Sequence, residues 1–90
     1  MTAKLLLHPF IAGEGMPSKP FQVDGQTVGD CLDFFLERYP EAKDKLFEKP
    51  GRLHAYIEVY VNDESAYPDE LAKPVKDGDE ISLTYLMSGG

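Results

Sequence analysis

The hydrophobic patterning of this 90-residue chain predicts an α+β domain, with one main helix packed across a mixed sheet of four to five strands. Three observations carry that expectation. Val28, Cys31, Leu32, Phe35, Leu36 and Tyr39 recur at steps of three and four, the stripe of an amphipathic helix. Ala55, Ile57, Val59 and Val61 alternate with His54, Tyr56, Glu58 and Tyr60, the period of a half-buried strand. A short apolar run, Leu5-Leu6-Leu7, opens the chain, and a second alternating run over residues 80–86 closes it.

Taken in order, residues 4–7, extending toward Phe10, form the first strand. Their unbroken apolar character predicts a strand buried on both faces, and Pro9 limits its pairing. Residues 11–20 hold two glycines and two prolines and read as a loop. Residues 19–23 form a second strand, and Asp24-Gly25 turns the chain. Thr27 is the expected helix N-cap, with Asp30 three residues on as the capping-box acid. Pro40 ends the helix by restricting Tyr39. Residues 41–47 add a short helical segment, closed by the Lys49-Pro50-Gly51 turn. The alternating strand over residues 55–61 follows. Asn62-Asp63-Glu64 is a tight turn, with a brief strand at 65–67. Residues 68–74 are a connecting loop or a single helical turn. Asp77-Gly78-Asp79 turns again into the last strand, with Ile81, Leu83 and Tyr85 on its inner face and Ser82, Thr84 and Leu86 on the other.

The order β-β-α-β-(β)-β is that of the ubiquitin-like β-grasp, in which the first and last strands run parallel at the centre of the sheet. Residues 1–87 form the expected domain, and 88–90 a flexible Ser-Gly-Gly tail.

Composition narrows the function. The net charge of −7 and a pI near 4.6 disfavour nucleic acid and anionic membrane as partners, because phosphate repels the chain. The one cysteine, Cys31, excludes an internal disulfide and a cysteine-based zinc site, and fits a reducing cytoplasm. Cys31 falls on the helix stripe, where a buried thiol is expected rather than a nucleophile. His8 and His54 read as packed or surface histidines, and the acids flanking Gly78 as a solvated turn. No glycine-rich phosphate loop follows a strand. The chain therefore offers no internal catalytic constellation, and no metal or cofactor of its own is expected.

The end of the sequence differs. Ser88-Gly89-Gly90 places a carboxylate on a stalk without Cβ atoms, slim enough for a narrow channel in another protein. Val61-Asn62 ends one strand, Val75-Lys76-Asp77-Gly78-Asp79-Glu80-Ile81 leads into the last, and Ser88-Gly89-Gly90 follows. With these pieces in this order, the chain resembles the small sulfur carriers of the MoaD/ThiS family over essentially its whole length.

That resemblance implies a protein cosubstrate rather than an enzyme. Its Gly90 carboxylate is adenylated by an E1-like enzyme that uses MgATP. A persulfide or sulfide donor then converts the adenylate to a thiocarboxylate, which delivers sulfur to a biosynthetic acceptor enzyme. Gly89 and Ser88 are expected to enter the partner, and Met87, Leu86 and Tyr60, with Tyr56 beside them, to meet its surface. Thr84-Tyr85-Leu86-Met87-Ser88 lacks the proline pair usual before the tail of molybdopterin-type carriers. The pathway therefore stays open: synthesis of molybdopterin, thiamine, cysteine, methionine or another thiolated metabolite. Two other readings use the same scaffold: a ubiquitin-like modifier joined to lysines through Gly90, and a plain β-grasp interaction module.

Overall fold

The computed structural model describes residues 2–8, 11 and 20–85. Strand β1 (Thr2–Leu7) and β2 (Phe21–Asp24) precede the main helix α1 (Val28–Arg38). A 3-10 turn (Pro40–Ala42), the single-turn helix α2 (Lys43–Leu46), and the short strands β3 (Phe47–Lys49) and β4 (Arg52–Leu53) come next. Strand β5 (Ile57–Val61), β6 (Glu64–Ser65), a 3-10 turn (Glu70–Ala72) and β7 (Glu80–Tyr85) complete the described chain.

The main sheet runs β2-β1-β7-β5-β6. Its central pair, β1 and β7, is parallel, with Leu5 opposite Ile81 and Leu7 opposite Leu83. The other pairs are antiparallel. The first and last strands thus lie side by side at the centre, as the sequence predicts.

Local chemistry starts the helix where expected. Thr27 is extended, and its hydroxyl accepts the Asp30 amide at 3.1 Å. The Asp30 carboxylate reaches back to the Gln26 amide at 3.3 Å, one residue earlier than in a standard capping box. A Cβ on Gly25 would lie 2.6 Å from the Asp30 Cβ and 2.9 Å from the Cys31 nitrogen, so only glycine fits this entry. The Val28 amide donates to the Lys73 carbonyl and the Val75 amide to the Gln26 carbonyl, each at 3.0 Å, which pins the helix start to the connection before β7.

The stripe packs as predicted. Val28, Cys31, Leu32 and Phe35 are buried, and Leu36 and Tyr39 pack against them half-buried. The Phe35 ring meets Phe21 edge-on at 5.4 Å and Tyr39 at 5.1 Å. The sheet answers with Ala3, Leu5, Val23, Ile57, Val59, Val61, Ile81 and Leu83, all buried. Each large side chain among them contributes roughly 1.5–3 kcal/mol by leaving water. Ile11, expected in a loop, joins this core. Tyr39 caps the helix through its amide to Phe35, and Pro40 begins the 3-10 turn.

Four expectations are corrected. Strand β1 is central but not buried on both faces. Ala3 and Leu5 are buried, Thr2 and Lys4 exposed, and Leu6 only half-buried, because α1 covers one face of the sheet. Phe47 does not end a helical segment; it opens the β3–β4 hairpin, which closes through Pro50-Gly51. Ala55 is exposed in a turn, so β5 begins two residues later, at Ile57. Strand β6 occupies Glu64–Ser65 rather than 65–67, because Asn62 and Asp63, both at positive φ, make a two-residue loop. The remaining elements fall within a few residues of their expected places. The expected boundary between body and tail, between 87 and 88, lies outside the described residues.

Candidate functional site

The site begins at the C-terminal end of β7, the exit of the described chain. Tyr85, its last residue, pairs with Ile57 at the start of β5. On the other side, the His8 amide donates to the Leu83 carbonyl at 3.0 Å, so the end of β1 flanks the same exit. Aromatic rings from three parts of the chain gather here. Tyr85 meets Tyr56 at 5.1 Å and His8 at 6.3 Å between centroids, and Tyr56 stacks on His54 at 4.8 Å and 9°. His54 is held in turn: its Nε2–H donates to the Asp44 carbonyl at 2.8 Å, and its amide to the Leu46 carbonyl at 3.0 Å. The root of the C-terminal segment therefore sits on a braced row of rings.

Of the residues singled out from sequence, Leu86, Met87, Ser88, Gly89 and Gly90 lie outside the described residues. Tyr60 is half-buried on the sheet face opposite α1, between Ser82 on β7 and Ser65 on β6. Its hydroxyl donates to Glu58 at 3.4 Å. Because Tyr60 pairs three residues before Tyr85 on β7, it sits about 10 Å along the strand from the exit. Tyr56, 37% exposed, stands at the exit itself. Sequence reasoning set both histidines aside. The expected parallel pairing of β1 with β7 was the signal for His8, since it carries that residue alongside the end of β7.

The motif around Gly78 has a structural task. Gly78 takes φ +88, and the turn is clamped from two sides. The Thr2 amide and hydroxyl both donate to Asp77 at 3.0 Å, while Asp79 accepts from the Asn62 side chain and the Lys76 amide at 2.8 and 2.7 Å. These bonds hold both carboxyls below the usual carboxylate range. This clamp lies at the opposite end of β7 from the exit.

Cys31 is fully buried, and burial, with the Asp30 and Asp24 carboxylates adding to it, pushes its thiol up. It is unsuited to be a nucleophile. Among the described residues, no three side chains of the metal-ligating types are grouped to hold an ion, and no helix is long and apolar enough to cross a membrane.

A parallel central strand pair, antiparallel flanks and one helix laid across a single face define a ubiquitin-like β-grasp domain. The structure is similar to SAMP1 from Haloferax volcanii, with a TM-score of 0.77 and 30% identity over the full length of both chains. It also resembles a chain of the BexX/CysO complex from Amycolatopsis orientalis, with a TM-score of 0.82 and 29% identity over 98% of this chain and 99% of that one. In sequence it is 28% identical over 88 residues to the sulfur carrier protein CysO of Mycobacterium tuberculosis, covering 94% of this chain and 90% of the relative. The ThiS family model matches residues 15–90. The chain belongs to the ThiS family, within the MoaD/ThiS group of ubiquitin-like sulfur carriers, small proteins that act with partner enzymes.

Proposed function

We propose that Gly90 is the group charged with sulfur, and that the β-grasp body is its handle. The observation that supports this most directly is the extent of the family match, which runs through Gly89 and Gly90. Gly90 follows Tyr85 by five residues, a reach of at most roughly 18 Å from the braced end of β7.

A carboxylate is a poor electrophile. In the proposed cycle, Gly90 attacks the α-phosphate of ATP in an E1-like enzyme, releasing pyrophosphate and leaving an acyl-adenylate. The partner's magnesium and cationic groups offset the phosphate charge. The terminal sulfur of a persulfide displaces AMP. A thiol then cleaves the sulfur–sulfur bond, leaving a thiocarboxylate on Gly90. Ser88 and Gly89 thread the partner's channel, and Leu86, Met87 and Tyr60 meet its surface. The protein is a cosubstrate and binds no cofactor. It works in the cytoplasm, consistent with its lone buried thiol.

A biosynthetic acceptor enzyme consumes the sulfur; the BexX/CysO complex, in which a similar carrier is bound, favours such a partner. A second reading, conjugation of Gly90 to lysines, is favoured by the similarity to small archaeal modifier protein 1 of Haloferax volcanii.

Intact-mass measurement after incubation with a cognate E1-like enzyme, MgATP and a persulfide donor separates these readings. Replacement of one oxygen by sulfur, lost when Gly90 is deleted, is the expected result. Lysine conjugates without the thiocarboxylate would favour the modifier, and no change with any activating enzyme would leave a plain interaction module. Gly89→Val is expected to fold normally but resist activation, because a β-branched side chain widens and stiffens the stalk.

A further inference from the structure

A groove of about 840 Å³ opens on the side of the domain formed by the outer edge of β5. Residues 51–55, from the turn before β4 through β4 and just past it, line it together with residues 67–72. Buried Ile57 and Val59 form its floor, with half-buried Leu53 and Leu71 above them.

The backbone of β5 faces into this groove. Strand β6 pairs only with Tyr60 and Val61, and after the Ala66 amide reaches the Val59 carbonyl at 2.9 Å the chain turns away. Strands β3 and β4 form their own two-stranded sheet. Among the described residues, then, no strand lies along the outer edge of residues 57–59. Because the Val59 carbonyl points outward, the two-residue period directs the Val59 amide and the Ile57 carbonyl the same way. An edge of this kind templates an added strand.

The charge of the groove selects its occupant. Glu58, Asp69 and Glu70 line it, while the one guanidinium, on Arg52, is drawn to Glu48 at 3.7 Å. Tyr67, 78% exposed, stands at the rim with its ring open to a cation. We infer that this groove is a strand-addition site for an extended segment of a partner protein that carries lysine or arginine between apolar residues. Apolar side chains of that segment face Leu53 and Leu71, and the basic ones meet Asp69 and Glu70. His54 and Ile57 border both the groove and the end of β7. The site does not depend on the carboxylate chemistry.

The test is selection of random linear heptapeptides on the full chain, followed by binding and amide-exchange measurements with the best binder. Enriched sequences should alternate basic with apolar residues, and binding should slow exchange at Val59. The surface variant Asp69→Lys/Glu70→Lys should keep the native circular dichroism and weaken binding at least about tenfold, with loss of the salt dependence. Failure to enrich any peptide, enrichment without basic residues, undiminished binding to the variant, or protection confined to the face bearing Tyr60 and Ser82 would each overturn the inference. None of these outcomes bears on whether Gly90 is charged.

Discussion

Asn62 and Asp79 are joined side chain to side chain: the Asn62 amide donates to the Asp79 carboxylate at 2.8 Å, while the Asn62 carbonyl oxygen accepts the Glu80 amide at 2.9 Å. The hairpin after β5 is thereby locked to the turn before β7. Asn62 holds φ +52, which asparagine tolerates better than most residues. Asn62→Ala should lower stability by about 1–2 kcal/mol, since it loses both bonds and strains the loop. Asn62→Gly, which relieves the strain, should cost less. Urea midpoints of the two variants check the order. The proposed activation at Gly90 should be unchanged in both, because the lock sits at the far end of β7.

Stability should fall in acid through Asp77 and Asp79. The Thr2 amide and then its hydroxyl lower the first carboxyl; the Asn62 side chain and then the Lys76 amide lower the second. Each folded-state pKa lies below the unfolded value of about 3.9, so the unfolded chain binds more protons as pH drops. The contribution is complete above that value and is lost as pH falls through the folded pKa. Urea midpoints followed from about pH 6 to pH 3 should show this decline, and Asp77→Asn/Asp79→Asn should flatten it.

Cys31 should resist thiol reagents in the native protein. Its burial under the sheet and its raised pKa both suppress the thiolate. Modification by a disulfide reagent should be slow in buffer and fast in denaturing urea. Rapid native labelling would contradict the packing of α1.

Tyr56→Ala removes the ring between His54 and Tyr85. The expected global cost is about 1 kcal/mol. Amide exchange at Tyr85 should accelerate more than at Ile81. Under the proposed function, the KM of an E1-like activating enzyme for this variant should rise while kcat holds.

The strong periods made the main fold legible before any coordinates. The α1 stripe, the alternation over Ile57–Val61 and Glu80–Tyr85, and the Thr27 start stand where the pattern put them. The β3–β4 hairpin was not legible, because Phe47-Glu48-Lys49 and Arg52-Leu53 are too short to show a period. Leu6 misled for another reason: an apolar residue on a central strand does not reveal whether a second layer covers its face. Ala55 misled because a small apolar side chain fits an exposed turn as readily as a core. At the site, the strand pattern offered Tyr60 and Tyr56 as candidates, but it did not show the ring row. That row joins residues 8, 54, 56 and 85, which only the tertiary arrangement brings together.

The parallel β1–β7 pair has a mechanical consequence. Force applied between the start of β1 and the end of β7 pulls these strands past one another, so their cross-links bear the load together instead of tearing one by one. A protease motor gripping the C-terminal end would meet this lengthwise resistance first, and the rate of forced opening would govern the protein's lifetime in its grasp.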